Sequence, residues 1–210
     1  MTIIQIPEDL SIARQDFGLR YFDLTFGGSD TGAVQTVARA PVRRTCSLVG
    51  NEQDLPENAA AWSVLLHALR GRVNQLALYN ATQPEPRGTA RGNWTTVGAT
   101  AAGASTMVIA MGADQAGQTL LAGDWIGVGQ ASVGPSRQLL HVQADAMADG
   151  AGNAAVSFEA VLRVALAAGA PVAWYRPTCL MRRTTEESTW GMHPGQLVGG
   201  FSLDLMESWE

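Results

Sequence analysis

"STMVIAM", residues 105–111, is the first of five short apolar runs that decide the fold. The others are "QTLLAGDWIGVG" (118–129), "SRQLLHVQADA" (136–146), "NAAVSFEAV" (153–161) and "APVAWY" (170–175). Each has strand length, and clusters of glycine, aspartate, alanine and asparagine separate them. Short strands at such even spacing predict a small all-β module, either a barrel or a sandwich. Within it, "LAGDWIGVG" reads as a tight Gly-Asp turn delivering Trp125, Gly127 and Gly129 into a strand, and "DGAGN" (149–153) as a hairpin tip.

The composition differs on both sides of this module. Before it, "LRYFDLTF" (19–26) alternates so that Phe22, Leu24 and Phe26 share one face, the signature of a half-buried strand that ends at Gly27-Gly28-Ser29-Asp30. Residues 33–38 and 42–49 alternate too, and Pro41 is expected to break the line between them. One helix is predicted over about 56–70. Asp54 would be its cap or the cap's neighbour, Pro56 and Glu57 suit its first turn, and Gly71 suits the position past its end. Trp62, Leu65, Leu66 and Leu69 form its buried stripe, with His67 expected half-buried beside it. A further strand is read over 73–79. After the module, Phe201, Leu203 and Leu205 alternate like Phe22, Leu24 and Phe26. The expected fold is therefore mainly β. Residues 1–94 together with 175–210 would form a β-sandwich host with one packed helix, and 95–174 an inserted small β-barrel or β-sandwich.

Between the helix and the module lies "NATQPEPRGTARGN" (80–93), which has no apolar period. Pro84 and Pro86 favour an extended backbone, while Gly88 and Gly92 permit a turn or close approach. Arg70, Arg72, Arg87 and Arg91 surround this excursion in a chain of formal net charge −5. All 14 basic residues are arginine, the side chain suited to forked pairing with carboxylates and carbonyls, although a genome rich in G and C would have the same effect. No arginine run exceeds the pairs Arg43-Arg44 and Arg182-Arg183, so the footprint of duplex binding is missing and no sequence-specific nucleic-acid contact is expected. The expected contact residues, at a subunit interface or between the domains, are Arg70, Arg72, Arg87, Arg91, Trp94, Arg182 and Arg183.

Motifs of catalysis and cofactor binding are not found. "GVGQASVG" (127–134) has the wrong glycine spacing for a dinucleotide, and Pro135 stands where a helix should begin. Asp145, Asp149 and Asn153 lack the alternation and the terminal glutamate of a calcium loop. His67, His141 and His193 show no metal spacing, and Cys46 and Cys179 read as reduced core residues. Glu159, Glu186 and Glu187 are the carboxylates in suggestive settings, without a nucleophile beside a histidine. No catalytic residue, cofactor, metal or membrane span is expected, and the charged start of the chain argues against general secretion.

Several stretches together resemble the distal tail proteins of long-tailed bacteriophages. They are "ALRGRVNQLALYNATQPEPRGTARG", "LLAGDWIGVG", "RQLLHVQADAMADGAGNAAVSFEAVLR" and "VAWYRPTCLMRRTTEESTWGMHPGQLVGGFSLDLMESW", and the resemblance covers most of the chain from about Trp62 onward. The resemblance implies a virion protein of the tail tip, present in the host cytoplasm during assembly. It would form a ring, usually a hexamer, joining the tail tube protein to the hub and receptor-binding parts, with a β-sandwich and one helix in the ring and a small β-domain facing outward. Two other classes stay open: a carbohydrate-binding module using Trp125 and Trp174 on a host-surface glycan, and a cell-envelope hydrolase using Glu159 or His193.

Overall fold

A computed structural model describes residues 2–27, 34–131 and 136–209, with the side chains of 39 and 40 left out. The expected turn at 28–30 and the end of the glycine stretch at 132–134 lie outside these residues. The chain is mainly β, with one α-helix among the described residues and a closed six-stranded barrel.

One part of the structure is built on a six-stranded sheet. Its strands are β1 (Ile3–Gln5), β2 (Ile12–Gly27), β3 (Val34–Gly50), β4 (Gln75–Leu78), β13 (Cys179–Arg183) and β16 (Ser202–Glu207), in the order β1-β4-β13-β16-β3-β2. Only β1 and β4 run parallel; the other neighbours are antiparallel. Helix α1 (Pro56–Leu69) covers one face, burying Ala59, Trp62, Leu65, Leu66 and Leu69 against Cys46, Leu48, Leu76, Leu78, Met181, Leu203 and Leu205. Trp62 stacks on Phe201 at 5.7 Å between centroids, and Trp190 stacks on the same ring at 5.8 Å. Burying four large side chains of the stripe stabilises this layer by roughly 6–12 kcal/mol before entropy is counted. A small antiparallel ribbon of β14 (Gly191–His193) and β15 (Leu197–Gly199) packs beside the helix.

Asp54 is the neighbour of the helix cap. The capping residue is Leu55, whose carbonyl accepts from Ala59, while the Asp54 carboxylate accepts from the Leu55 N–H at 2.9 Å and the Asn58 amide at 2.8 Å. His67 is exposed rather than half-buried. Its Nδ1 lies 2.7 Å from the Ser63 carbonyl one turn back, a bond that needs no burial.

Pro41 does not break the chain into two strands: β3 runs through it for 17 residues. Opposite it, the register with β2 shifts between Arg20 and Phe22 and again between Phe22 and Asp23. At a bulge no ladder hydrogen bond is asked of the proline nitrogen, so the strand continues. The face of "LRYFDLTF" also differs from expectation. Leu24 and Phe26 are exposed, because β16 pairs β3 only between Thr45 and Val49, so beyond that point β2 and β3 go on as a ribbon of two strands.

The barrel contains β5 (Trp94–Thr96), β6 (Thr106–Ala110), β8 (Trp125–Val128), β9 (Gln138–Val142), β11 (Asn153–Glu159) and β12 (Pro171–Ala173), closing in the order β11-β6-β5-β12-β8-β9. All five predicted runs supply strands to this module; "QTLLAGDWIGVG" also supplies β7 (Thr119–Leu120), which pairs β10 (Ala146–Met147) in a short ribbon. The alternation is as the sequence predicts: Met107, Ile109, Ala154, Val156 and Phe158 point inward, and Val108 outward. The barrel and the sheet have separate cores, but Leu139 and Trp125 of the barrel pack into the core of the sheet.

Candidate assembly surface

The arm at 80–93 is held down onto the barrel by one carboxylate. Asp124, fully buried, accepts from the backbone N–H groups of Arg87 (2.8 Å), Gly88 (3.2 Å) and Leu121 (2.7 Å), and from the Gln83 amide (2.7 Å). The turn that presents it closes from the Asp124 N–H to the Leu121 carbonyl, with Gly123 at φ 93°. Gly88 is required by contact: a Cβ there would lie 2.2 Å from the Thr119 carbonyl oxygen. Gly92 is required by conformation, at φ 92°.

The two arm arginines bind within the chain. Arg87 donates to the Ala122 carbonyl and stands 3.6 Å from Asp124. Arg91 donates to the carbonyls of Gly88, Ala90 and Pro86, all in its own arm, and lies over the Trp174 ring at 5.1 Å. Trp94 is buried in the barrel core, its indole N–H donating to the Arg91 carbonyl. Trp94 therefore begins the barrel and is enclosed by it in this chain, which corrects its assignment to a contact surface. Arg70 ends α1 in the left-handed region at φ 48°, with its side chain exposed. Arg72 donates to the Thr184 carbonyl and pairs with Glu186 at 3.2 Å, and Arg183 donates to the Glu187 carbonyl and the Ser188 hydroxyl at 2.7 Å each. Arg72 thereby joins Arg182 and Arg183 around one concavity on the sheet.

The seam between sheet and barrel is carried by residues that the sequence did not single out. Glu207 on β16 receives Arg44 of β3 and Arg163 from the barrel, each at 3.2 Å, and all three are buried or nearly so. Arg163 also donates to the Arg137 carbonyl at 3.0 Å, and Arg137 to the Thr178 hydroxyl at 3.1 Å. Burial pulls the Arg163 guanidinium below the usual arginine range, and Glu207 opposes that fall. Nothing local in the sequence marks this triad, since Arg44 and Glu207 stand 163 positions apart.

No family model matches the chain, and no curated protein matches its sequence. Glu159 and His141 are direct neighbours on β11 and β9, lining a cleft of about 470 Å³ with Trp125, Arg44 and Tyr21, whereas His193 sits on the separate β14–β15 ribbon. Burial, with Arg44 nearby, holds the His141 imidazole below its ordinary range. Trp125 is packed edge-on against His141 at 4.6 Å and Phe17 at 6.1 Å, and Trp174 lies tilted against Trp94 and edge-on to Tyr175, each at 6.1 Å. The two tryptophans thus serve packing at two different places. Among the described residues no group of three or more His, Cys, Asp or Glu side chains could hold a metal ion, and no helix is long and apolar enough to cross a membrane.

Proposed function

We propose that this chain is a self-assembling structural subunit of a phage tail tip, forming a ring that joins the tail tube to the hub and receptor-binding components. One observation carries the self-assembly: the β2–β3 ribbon that projects beyond the sheet. Leu19, Tyr21, Leu24, Phe26, Val34 and Val37 are exposed along it, with Tyr21 at 67% and Val34 at 66%. A ribbon of two strands is marginally stable in water by itself, and here, among the described residues, it offers edges that pair with no further strand as well as apolar side chains. Contact with a neighbouring copy buries the side chains and pairs the edges.

A ring requires a heterologous contact, in which one face of each copy meets a different face of the next. The ribbon supplies one such face and leaves the barrel and helix outside it. The tail-tip assignment itself rests on the sequence resemblance, and so do the tail tube and hub as partners, the virion location and a host glycan as a possible target of the barrel. Light scattering and negative-stain electron microscopy of the purified chain test the reading. Closed rings, reduced to folded monomers by Leu24→Asp with Phe26→Asp, are expected. A wild type that stays monomeric at high concentration, or rings unaffected by the double substitution, overturns it.

A further inference from the structure

At the end of β3 opposite the projecting ribbon, a shallow groove of about 460 Å³ opens between the start of α1 and the β14–β15 ribbon. Pro56, Trp190, Met192 and Val198 line it, and Leu55 stands beside Pro56. Met192 is 81% exposed and Trp190 44%, and Leu55 is exposed too. Trp190 is the outer ring of a stack that runs through Phe201 to the buried Trp62, so its indole is held in place. A fixed tryptophan beside a pliant methionine has the make-up of a contact hot spot. Among the described residues β14 pairs with β15 alone, whereas β15 is also bridged to Asp54 through Val198. The outer edge of β14 is thus open to a further strand.

The projecting part of the β2–β3 ribbon has matching chemistry. Leu24 and Val37 are direct cross-strand partners, and Phe26, two residues on from Leu24, shares their face. All three are exposed. Distance rules out a contact with the groove of the same chain. Val34 begins β3 and Gly50 ends it, with the Gly50 N–H donating to the Phe201 carbonyl, so ribbon end and groove lie about 50 Å apart along an extended strand. A ribbon and a groove at opposite ends of one strand meet only between copies, head to tail, and repetition of that contact can close a ring. The area suffices. The ribbon beyond Gly18 is about 30 Å long and, with its flanks, about 15 Å wide. One face of it covers roughly 450 Å² of each copy, close to the total of about 1,000 Å² that a specific interface needs.

We infer that this groove receives the β2–β3 ribbon of the next copy, with Leu24, Phe26 and Val37 seated against Leu55, Trp190 and Met192 and one ribbon strand paired along β14. The inference rests on the ring reading and supplies the second face that a heterologous contact requires.

Size-exclusion chromatography with light scattering of the full chain tests it. A groove variant, Leu55→Asp with Met192→Asp, changes two exposed positions outside both cores and is expected to elute as a folded monomer. Met192→Asp alone should raise the concentration at which rings form at least about tenfold, and it covers the case in which the double variant unfolds. Mixing the groove variant with the ribbon variant, Leu24→Asp with Phe26→Asp, should give a heterodimer and nothing larger, because the first still donates a ribbon and the second still offers a groove. Rings of the groove variants as stable as those of the wild type, or no heterodimer from the mixture, would overturn this inference and leave the ribbon's part in ring formation standing. A wild type that stays monomeric at high concentration would overturn both.

Discussion

Arg163 of the barrel and Glu207 of the sheet meet at 3.2 Å, with Glu207 1% exposed. The contact fastens two bodies that have separate cores, and Arg44 shares the same carboxylate. Replacing Glu207 by Gln leaves two guanidinium groups at the seam without their charge partner. Breaking a buried pair in this way costs about 3–5 kcal/mol. Denaturant unfolding of Glu207→Gln should show that loss, with the sheet and barrel transitions drawn apart; an unchanged midpoint would remove the triad from any account of docking.

Asp124→Asn should loosen the arm. The amide keeps the shape but replaces an acceptor of several N–H groups by one that must also donate, so donors from Arg87, Gly88 and Leu121 compete for less. About 2 kcal/mol of stability should go, and hydrogen exchange at Arg87 and Gly88 should quicken while β6 and β11 stay protected. Equal quickening throughout the barrel would show that Asp124 supports the whole module.

Gly88→Ala acts on the same arm by a different route. Its Cβ would meet the Thr119 carbonyl and Leu120 Cα, which are backbone and cannot turn aside. A loss of about 1–3 kcal/mol is expected in thermal or denaturant melts. A neutral result would mean that the arm sits further from β7 than it does here.

His141 gives a pH dependence with a definite sign. Burial keeps its folded-state proton affinity below the unfolded value of about 6.5, so the unfolded chain binds the proton more readily. Stability from this group is present above that pH and is lost as the pH falls toward the folded value. Unfolding curves of wild type and His141→Gln should therefore converge as the pH is lowered from 7.5 to 5; parallel curves would show that the imidazole is not held neutral.

The thiols should be silent in the folded chain. Burial pushes the Cys46 thiol up to about 12 and raises the Cys179 thiol as well, and neither forms a disulfide. At pH 8 neither should react with a disulfide reagent until denaturant is added, after which both should. Rapid labelling of the native chain would mean that the sheet opens locally around β3 or β13.

The barrel was legible because its information is local: the inward alternation of Met107 and Ile109, or of Val156 and Phe158, is written within a few residues. The stripe from Trp62 to Leu69 was legible for the same reason. Pro41 misled because whether a strand tolerates proline depends on the register of the strand beside it, which the sequence near Pro41 does not contain. The exposure of Leu24 and Phe26 was hidden too, since alternation says that two side chains share a face but not whether anything covers that face. For the contact residues, arginine chemistry foretold carboxylates and carbonyls as ligands. It could not foretell that Arg87 and Arg91 would find theirs in their own arm and the adjoining turn, or that Arg44 and Arg163 would converge on a glutamate near the other end of the chain.

The place of β16 sets an order of events during synthesis. Residues 202–207 form an interior strand between β3 and β13, so until they leave the ribosome the sheet remains in two unjoined halves. Every barrel strand has been translated by residue 173. The barrel can thus close while the sheet still waits for its central strand, and Glu207, which fastens the two together, arrives with that strand.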